Sequence, residues 1–412
     1  MEQYIIIGCG AAGMAAAERL RSVKPDASIT MVSSDEHSHS RCMLHKYLSK
    51  ERSEEGIAFR DTDFFEKNRI TWASGMQVTG VDSEKKKVLF TQGSMPYDKL
   101  LIATGAVYGV PPIPNFRTAG NVFGFRDLSD ARKIREAIVQ KRAKHVFIVG
   151  SGLVGLDVAY ALLEQGIGVT IAEMAKRILP LQTDETSAAA YQELFERAGA
   201  RFKLGIGASG SEVDENNEIT HVILSNGEKI ACDFVVVAAG VRPNIEFLKD
   251  SGLEMERALT VNEYLQTSDQ NIYGAGDVTG LSGIWPNAMD QGRKAAMNMA
   301  GMQVAYTDRF CIKNTINFFG LSMLSVGWIE PKEEGCQIYT RESRDTYQKA
   351  IVKDGVLKGI QLQGEISGSG FWQYLIKNEV DLTALLAKKD IFSIGYADFY
   401  GMDETGEYIY SY

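Results

Sequence analysis

The sequence is poor in cysteine and in long apolar runs, and both shortages narrow the class of protein. Its 412 residues include five cysteines, none of them in a C-x-x-C pair: Cys9, Cys42, Cys232, Cys311 and Cys336. The odd number and the missing pairs argue against a disulfide-framed secreted domain, so we expect a reduced, cytoplasmic protein. No run of about 18 apolar residues is present, so we expect no membrane-spanning helix. The first residues lack the basic start of a signal peptide.

The sequence also lacks a surplus of basic residues. It has 44 basic and 53 acidic residues, for a formal net charge of -9. This balance argues against a general nucleic-acid binder. With 45% hydrophobic and 24% charged residues, the composition is typical of a soluble globular protein, and the length suggests two to four domains.

The stretch from Tyr4 to Leu20 predicts a buried parallel strand, a glycine-rich turn and a helix. The turn carries a G-x-G-x-x-G motif over residues 8–13. In a dinucleotide fold such glycines allow a tight turn, a close approach to a pyrophosphate and close helix–strand packing. The phosphates would lie at the helix N-terminus, where free N–H groups and the dipole favour negative charge. The candidate contacts are Gly8, Gly10, Ala12 and Gly13. Glycines needed only for the turn are the alternative.

A second strand, Ser28 to Val32, is followed by Ser33 where a dinucleotide fold usually has an acid that binds the ribose hydroxyls. Asp35 and Glu36 come just after it. We therefore expect either a shifted acid, with Glu36 a candidate, or Ser33 alone to bind the ribose.

The segment from His37 to Leu48 holds three histidines and one cysteine. This set could suggest zinc, but the spacing fits no standard finger, so no metal is predicted. We expect polar groups and Arg41 to line a phosphate path instead. Cys42 has two interpretations: a small buried side chain, or a redox thiol activated by Arg41 and Lys46. The sequence does not decide between them.

The first unit is expected to continue with a strand at residues 70–73, a small meander over residues 77–92 that includes Val78, and a strand at residues 100–103. Thr104 and Gly105 close it. The proline-rich residues 110–114 suit a connector between domains.

A second copy of this pattern then begins, with a strand at residues 145–149 and another G-x-G-x-x-G over residues 150–155. We expect its helix to run from Asp157 to Gln165, and the next strand to end in Glu173. An acid at this distance binds the adenosine ribose and repels a 2′-phosphate, which favours NAD(H) over NADP(H), although Arg177 lies close by. The strand at residues 234–239 ends in Gly240, as the first copy ends in Gly105. The candidate NAD contacts are Gly150, Gly152, Val154, Gly155, Glu173 and Gly240.

This internal duplication predicts two bound dinucleotides. One would be a soluble nicotinamide, and the other is most simply a bound flavin, because a hydride then has an acceptor. Asp277, at the end of a strand and glycine turn, would accept hydrogen bonds from a ribityl hydroxyl, though an Asp in a turn is common. Asn287 and Ala288 precede a helix expected over residues 289–300, whose N-terminus would face the flavin, with Pro286 at its start.

The residues from about 310 to 412 predict a third unit with a hairpin over residues 347–364 and helices near residues 371–378 and 382–388. A stretch rich in tyrosine and glycine, residues 396–412, would be a tail on the surface or against a partner. Lys377, Lys388 and Lys389 could form a local basic patch for an acidic partner, although such lysines are usually only solvated.

Taken together, these motifs resemble those of the FAD- and NAD-dependent pyridine nucleotide–disulfide oxidoreductase superfamily. The matching segments are residues 8–13, 97–105, 150–155, 238–244 and 273–277, over nearly the whole length. Residues 40–48, SRCMLHKYL, are similar to the S-R-P-x-L-S-K-Y-L segment of NADH:rubredoxin and related ferredoxin-type reductases. The resemblance implies that Arg41 and Lys46 contact FAD. It also implies that Asp157 takes the place of a Glu near the nicotinamide and flavin; an acid in the first turn of the helix, favoured by the dipole, is the alternative.

Two departures from the family pattern bear on the chemistry. The C-x-x-x-x-C pair of the glutathione-reductase branch is absent, and so is its C-terminal His-Pro, since the last histidine is His221. Cys42 and Tyr47 match the spacing of the coenzyme A-disulfide reductase and NADH oxidase branch. The oxidase and peroxidase members of that branch, however, have a His in the first glycine loop, where this chain has Gly10, Ala11 and Ala12. The Gly expected after the cysteine is Met43 in this chain. Cys42 is therefore interpreted as replacing a proline of the rubredoxin-reductase type.

The resulting expectation is an α/β chain with two Rossmann-like domains of three-layer ββα type, the second inserted in the first, and a C-terminal α+β domain. The predicted FAD domain covers residues 1–110 and 245–309, the NAD domain 111–244 and the third domain 310–412. The expected enzyme passes electrons between NADH and a rubredoxin- or ferredoxin-like carrier by hydride transfer to flavin N5. A thiol- or oxygen-directed reductase using Cys42 is the first alternative. A subunit that only holds FAD in a larger complex is the second, and a homodimer is also open.

Overall fold

The computed structural model describes residues 2–308 and 313–410. Cys311, the outer ends of the predicted FAD domain (residues 1 and 309) and both ends of the predicted third domain (residues 310 and 412) therefore lie outside the described residues. The chain divides into two compact units. The first unit comprises Met1–Ala172 and Ile206–Arg309, and the second comprises Glu173–Gly205 and Phe310–Tyr412. The three-domain division expected from the sequence stays a prediction.

The secondary structure alternates short strands and helices in the first unit and is mainly antiparallel strand in the rest of the chain. The helices are α1 (Ala11–Val23), α2 (Leu44–Leu48), α3 (Phe64–Lys67), α4 (Leu128–Lys141), α5 (Leu153–Leu163), α6 (Glu185–Arg197), α7 (Trp285–Met299), α8 (Ser369–Lys377) and α9 (Thr383–Leu386). The strands are β1 (Gln3–Ile7), β2 (Ser28–Val32), β3 (Thr71–Ala73), β4 (Val78–Asp82), β5 (Lys87–Phe90), β6 (Ser94–Pro96), β7 (Lys99–Ile102), β8 (Ala106–Tyr108), β9 (Val122–Phe123), β10 (His145–Val149), β11 (Gly168–Glu173), β12 (Ala200–Leu204), β13 (Ala208–Val213), β14 (Ile219–Leu224), β15 (Lys229–Ala231), β16 (Phe234–Val237), β17 (Val241–Pro243), β18 (Ile272–Gly274), β19 (Lys313–Phe318), β20 (Leu321–Gly327), β21 (Gln337–Glu342), β22 (Tyr347–Lys353), β23 (Val356–Gln363), β24 (Tyr400–Met402) and β25 (Tyr408–Tyr410).

The first sheet is parallel, with the strand order β18-β7-β1-β2-β3. Successive side chains of β1 point to opposite faces, as in any strand. Tyr4 and Ile6 pack in a core with α1 and α7, whereas Ile5 and Ile7 pack against the three-stranded meander β4-β5-β6. The sheet is therefore covered by helices on one face and by a second sheet on the other, which is the expected three-layer arrangement.

The second parallel sheet repeats this arrangement. Strands β11, β10, β16 and β9 lie side by side in that order, and Phe147 of β10 packs against Val222 and Leu224 of the meander β13-β14-β15. The chain enters the second copy through β8 and returns through β17, and these two strands pair antiparallel. The outgoing and returning segments therefore lie side by side, as an insertion of the second copy into the first requires.

The second unit contains an antiparallel sheet of order β19-β20-β23-β22-β21. The helix α8 buries Phe371, Leu375 and Ile376 in a core shared with Ile360 and Leu362 of β23. The hairpin β22–β23 and the helix α8 confirm the predictions made for this region. The predicted fold class is confirmed: two dinucleotide-type α/β layers followed by an α+β region.

Three element boundaries were predicted wrongly. Helix α5 begins at Leu153, directly after the glycine turn, so Asp157 lies in its second turn and not in its first. Helix α7 begins at Trp285, which places Asn287 and Ala288 inside it, and α9 ends at Leu386. The expected C-terminal tail forms a short hairpin, β24–β25, over its described part. Within residues 2–308 and 313–410, no helix is long and apolar enough to cross a membrane.

Candidate functional site

The first glycine turn leaves no room for a side chain at two of its three glycines. A Cβ on Gly8 would lie 2.3 Å from the carbonyl oxygen of Ala103, and Gly8 has a φ of +110°. A Cβ on Gly13 would lie 1.9 Å from the carbonyl oxygen of Gly8. Gly10 is different, because its Cβ would meet only the Arg41 guanidinium, at 3.0 Å. Gly8 and Gly13 are thus required for the close backbone packing of the turn. Gly10 leaves room for the Arg41 guanidinium beside it.

The second glycine turn repeats these contacts almost atom for atom. A Cβ on Gly150 would lie 2.6 Å from the carbonyl oxygen of Ala238, and one on Gly155 would lie 2.0 Å from that of Gly150. A Cβ on Gly152 would meet nothing within 4 Å. In both turns no backbone atom obstructs the middle glycine, which is the position where a pyrophosphate approaches the backbone.

The helices that follow these turns begin without a side-chain cap. Among the described helices of ten or more residues, α4 and α6 are capped by Asp127 and Asp184, whereas α1, α5 and α7 have no side-chain cap. Uncapped N–H groups need another partner, and a helix N-terminus is a ready site for an anion. The residues therefore fit two dinucleotide phosphates at α1 and α5, and an electron-rich ring at α7.

The polar groups beside the first turn are already arranged around Asp35. The Arg41 guanidinium lies 3.3 Å from its carboxylate, and the Cys9 thiol donates to it at 3.6 Å. Ser33 is buried, where its hydroxyl donates to the Asp35 carbonyl and accepts from the Trp72 indole. Of the candidates here, Asp35 is thus the carboxylate nearest Gly10.

Exposed Glu36 lies beside Gly75, away from these groups. Val78 begins β4 with its side chain buried in the core, so any nucleotide contact from it would come from its backbone.

Small residues from three segments converge next to the first turn. Gly276 has a φ of +82°, and a Cβ there would lie 3.2 Å from the Cβ of Ala12 and 3.7 Å from that of Ala288. Gly292 of α7 approaches the Ala12 carbonyl so closely that a Cβ would lie 2.1 Å from it. The helices α1 and α7 therefore pack tightly, with Asn287 and Ala288 both buried in the first turns of α7.

Asp277 follows this small-residue surface and forms an ion pair with Arg126 at 2.5 Å. The Arg126 guanidinium also donates to the Ala106 carbonyl. Thr104 donates its hydroxyl to the Asn244 carbonyl, and the Asn244 N–H donates to Gly105. These hydrogen bonds thus connect the end of the first nucleotide-binding copy to the segment by which the chain returns from the second copy.

Cys42 lies where the two nucleotide grooves meet. Its thiol is exposed and free, and the charges that act on it come from both sides: Asp157 of α5, Arg126, Asp277 and Arg41. Although Cys42 is an exposed residue, desolvation of its thiol by the surrounding chain raises the thiol pKa, Asp157 raises it further, and the two arginines only partly oppose them. The thiol is therefore not a small buried side chain, and its surroundings do not stabilise a thiolate.

Asp157 faces His45 and not Lys46 in this meeting region. The His45 Nδ1 lies 3.5 Å from Asp157 Oδ1, while Lys46 donates to Glu51 at 2.8 Å and lies over the Tyr160 ring. Burial raises the pKa of the Asp157 carboxyl to about 8, against the charge of Lys46. Burial also lowers the pKa of His45 to about 4.

The other histidines of this segment do not assemble a metal site with Cys42. His39 is buried, with Nδ1 at 3.1 Å from the His37 carbonyl and Nε2 accepting the Leu128 N–H. In the described part of the chain, no three His, Cys, Asp or Glu side chains are grouped to hold a metal ion.

The remaining NAD candidates lie on loops and helix ends. Val154 is half-buried in the first turn of α5, and Gly240, with a φ of +101°, leaves open space at its Cβ position. In the second unit, Glu173 accepts the Ala175 N–H with one carboxylate oxygen. The guanidinium of Arg177 donates to the Thr183 and Pro180 carbonyls, so it is committed to its own loop.

Comparison with known proteins agrees with this geometry. The sequence model described as pyridine nucleotide-disulphide oxidoreductase matches residues 2–292. The chain belongs to this family. A second model, described as the rubredoxin NAD+ reductase C-terminal domain, matches residues 313–380. The family resemblance predicted from the motifs is confirmed, and so is an FAD-dependent oxidoreductase that uses a nicotinamide dinucleotide.

Three similar proteins of this family are informative. The epsilon subunit of NADH-dependent phenylglyoxylate dehydrogenase from Aromatoleum evansii is 32% identical over 401 residues, with 94% of each chain covered. NADH-rubredoxin oxidoreductase from Clostridium acetobutylicum is 26% identical, with 89% of this chain and 92% of that protein covered. The crystal structure of the ferredoxin reductase for the CYP199A2 system from Rhodopseudomonas palustris has a TM-score of 0.84 and 26% identity, and covers 95% of this chain and 98% of that one.

Two residues of the site were not among the predicted ones. Arg126 is separated from Asp277 by 151 positions, and no local pattern marks it. His45 had a signal, because it replaces the serine of the S-K-Y-L segment that residues 40–48 resemble. Its proximity to Asp157 depends on the packing of α2 against α5.

Proposed function

We propose that this chain passes electrons between NADH and a small iron–sulfur carrier. The observation that supports this most directly is the meeting point of the two nucleotide grooves, where Cys42 has a free thiol and no cysteine of residues 2–308 and 313–410 is bonded to it. A bound FAD accepts a hydride from the nicotinamide and exchanges electrons with a further partner. Without a thiol pair to receive them, those electrons leave to an external acceptor, and both NADH-rubredoxin oxidoreductase and the ferredoxin reductase are named for such carriers.

The first groove supplies the contacts that hold FAD in this proposal. The open surface at Gly10, the uncapped N-terminus of α1 and the guanidinium of Arg41 neutralise its pyrophosphate. Asp35 is the carboxylate that would bind a ribose, with the Ser33 hydroxyl bonded to its carbonyl and Glu36 next to it in the sequence. Asp277, held by Arg126, serves the ribityl chain, and the start of α7 at Asn287 and Ala288 faces the ring. The remaining first-copy contacts are Gly8, Ala12, Gly13, Lys46, Val78, Thr104 and Gly105.

The second groove binds NADH in preference to NADPH in this proposal. Gly150, Gly152, Val154, Gly155 and Gly240 receive the pyrophosphate and nicotinamide ends, and the carboxylate of Glu173 binds the adenosine ribose. Arg177 lies nearby, and its positive charge could favour the 2′-phosphate of NADPH. Its guanidinium is bonded to two backbone carbonyls of its own loop, so it is not free to neutralise that phosphate.

A thiol-directed reductase using Cys42 is the second candidate. It is favoured by the exposure of the thiol at the junction of the grooves. It is disfavoured by the desolvation of the thiol by the surrounding chain and by the charge of Asp157, which both raise the pKa of the thiol and so reduce the thiolate that such chemistry needs.

A role inside a larger redox complex is compatible with the first proposal. The Aromatoleum evansii protein is named as a subunit of a dehydrogenase. In that arrangement the iron–sulfur carrier would be a neighbouring subunit and not a diffusing protein. A cytoplasmic location stays part of this proposal.

The test is reduction of defined one-electron acceptors by the purified FAD-loaded protein with NADH. Ferricyanide, a rubredoxin and a plant-type ferredoxin would be compared under anaerobic conditions with coenzyme A disulfide and with oxygen. We expect turnover with at least one iron–sulfur protein and with ferricyanide. Turnover confined to coenzyme A disulfide or oxygen would contradict the proposal and favour the Cys42 reductase.

A further inference from the structure

A buried histidine nitrogen without a hydrogen bond lies at the junction of the two grooves. The Nδ1 of His45 is buried and makes no hydrogen bond of good geometry: the ring has the Cys42 backbone on its own segment and Asp157 Oδ1, the nearest carboxylate oxygen, 3.5 Å from Nδ1. His39 shows the alternative, because both of its ring nitrogens are bonded to the backbone. A buried polar atom in a native protein normally has a partner. His45 is thus one small movement from a hydrogen bond with Asp157.

The lysine that could neutralise Asp157 is engaged elsewhere. Lys46 donates to both oxygens of Glu51, at 3.0 Å and 2.8 Å, and its ammonium lies 5.1 Å from the centroid of the Tyr160 ring. Asp157 therefore has the His45 imidazole at 3.5 Å, while the charge of Lys46 still acts on it and opposes the rise of its pKa. A carboxyl and an imidazole side by side can share a proton, which a lysine–carboxylate ion pair does not do at neutral pH.

We propose that His45 and Asp157 hold one shared proton in the resting protein and donate it when an iron–sulfur carrier delivers electrons, so that this site is built to make NADH. Asp157 is the donor at the junction, and His45 is the positioning residue that orients it and returns the proton. This inference rests on the proposed function, because it assumes a carrier that brings electrons without protons.

The balance of the reaction requires a source of one proton. Two reduced carriers give one electron each, and NAD+ takes up two electrons and one proton to become NADH. Since the carriers bring no proton, it has to come from the protein or from solvent. Asp157 gives up its proton at the junction, where bound FAD would combine it with the two electrons into the hydride that NAD+ takes up. The carboxylate left behind attracts the positive ring of NAD+, and solvent reloads the pair through His45.

The pKa values of Asp157 and His45, and the charged groups around them, agree with one proton shared by the pair. Burial leaves Asp157 protonated up to a pKa of about 8 and His45 neutral down to a pKa of about 4, so between these limits the pair carries one proton and no net charge. The groups that act on His45 from its own segment are Lys46, Glu51, Arg52 and the Cys42 backbone. From α5 the Tyr160 ring lies edge-on to it. The arginines of neighbouring α4 point to other partners, Arg132 to Glu54 and Arg135 to Tyr47.

The pair can be observed directly by nuclear magnetic resonance, apart from any activity. The chain has five histidines, so the holoenzyme labelled with 15N-histidine gives few imidazole signals. The signals that disappear in H45Q are those of His45. We expect the His45 ring to stay neutral from pH 5 to pH 9 and its nitrogens to shift once near pH 8, as Asp157 ionises. The shift near pH 8 should vanish in D157N. An ordinary imidazole titration between pH 6 and 7, or no step near pH 8, would overturn the proposal.

His221 offers a matched control on the surface. Its Nδ1 lies 3.6 Å from the Glu212 carboxylate, a similar distance, but both side chains are about 40% exposed. H221Q should leave the His45 signals as they are. D157E is a second variant, because D157N can disturb folding at a packed position. D157E keeps a carboxyl group, so the pH-dependent shift of the His45 nitrogen signals should remain, at a changed pH. A folded D157E without any step would also overturn the pairing.

The direction is tested by NAD+ reduction with reduced methyl viologen, a one-electron donor that carries no proton. The wild-type rate should be level below pH 8 and fall about tenfold per pH unit above it, since the acid form is required. D157N should lower the rate by about 100-fold with a flat pH profile, because general acids commonly contribute that much. H45Q should lower kcat by about tenfold with little change in the KM for NAD+.

A wild-type rate that rises above pH 8, or D157N and H45Q rates equal to wild type, would overturn the assigned direction. Failure of every iron–sulfur protein in the ferricyanide comparison above would instead overturn the proposed function. The His45 resonance step would still report the pair in that case, so the two failures are distinguishable.

Discussion

At the scale of single residues, Cys42 separates the two candidate chemistries most cleanly. Cys42 is an exposed residue, but desolvation of its thiol by the surrounding chain raises the thiol pKa, and the charge of Asp157 raises it further. We predict that C42S keeps NADH–ferricyanide turnover within about twofold of wild type, because the residue supplies no transition-state interaction in the electron-transfer account. Steady-state assays with FAD-loaded protein measure this. A loss of nearly all turnover, with restoration on returning to cysteine, would show that the thiol takes part.

Glu173 carries the predicted preference for NADH. We expect E173A to raise the KM for NADH about tenfold, since hydrogen bonds to a charged group typically contribute about 1.5–3 kcal/mol. E173Q, which keeps the shape but not the charge, should relax discrimination against NADPH. Initial rates with both nucleotides measure these effects, and an unchanged NADH:NADPH ratio in both variants would contradict the assignment.

The residues of the site divide into those with a sequence signal and those without one. The glycines at 8, 13, 150 and 155 were predictable because their spacing reflects local backbone contacts, which the structure places within one turn. The Arg126–Asp277 pair joins residues 151 positions apart, so no local pattern encodes it. The orientation of Lys46 towards Glu51, and of His45 towards Asp157, depends on how α2 packs, which periodicity does not reveal.

At the scale of elements, the second glycine turn offers a matched pair of substitutions. A Cβ at Gly155 would lie 2.0 Å from a backbone oxygen, whereas Gly152, with a φ of −70°, has nothing within 4 Å. We predict that G155A unfolds at lower denaturant concentration, because backbone must move. G152A should keep the wild-type unfolding midpoint but weaken NADH binding about tenfold or more, since its methyl group enters the phosphate position. Equal unfolding of the two variants would contradict this contrast.

A buried ion cluster ties α6 to the antiparallel sheet within the second unit. Lys349 is 7% exposed and lies 3.2 Å from Asp184, which also accepts a hydrogen bond from Tyr347. We predict that K349M lowers the free energy of unfolding by about 3 kcal/mol, because it leaves Asp184 buried without its cation. K353M, in the same strand and near an exposed Asp354, should cost about 0.5 kcal/mol or less. Denaturant titrations of both variants give the comparison.

The same cluster sets a pH dependence. Burial raises the pKa of Asp184, but the Tyr347 hydroxyl, the Ser187 N–H and Lys349 outweigh it, so the pKa is lowered. Because the folded pKa lies below the unfolded value, this carboxylate stabilises the fold above about pH 4, and the contribution is lost as the pH falls further. The stability difference between wild type and K349M should therefore shrink on acidification below about pH 4. A constant difference down to about pH 2 would contradict the role of the charge.

Helix starts were harder to predict than strands. The buried strands β2 and β10 have the predicted bounds, because each is a mainly apolar run rich in β-branched residues that ends at a polar residue or a glycine. The starts of α5 and α7 were placed four residues late. In α5 the helix begins directly at the glycine turn, and in α7 Pro286 occupies the second helical position, where its missing N–H costs nothing.

At the scale of the whole chain, the duplication in the sequence was sufficient to predict the fold class. Two glycine turns, each with a closing strand, imply two three-layer units, and the β8–β17 pair shows the insertion that the motif order suggested. The C-terminal hairpin β24–β25 was missed, since a stretch rich in tyrosine and glycine has no clear alternation. The identity of the electron partner does not follow from the fold, because the same fold serves carriers, disulfides and oxygen in its relatives.

The most direct test of the central claim is an anaerobic titration of the FAD-loaded protein with NADH, followed through the visible spectrum. Electron transfer without a redox thiol predicts that the flavin bleaches with about one NADH per FAD, with no long-wavelength thiolate–flavin band. Subsequent addition of a one-electron acceptor should restore the oxidised spectrum. Consumption of an extra equivalent of NADH before bleaching, with such a band appearing, would contradict the account and assign the chemistry to Cys42.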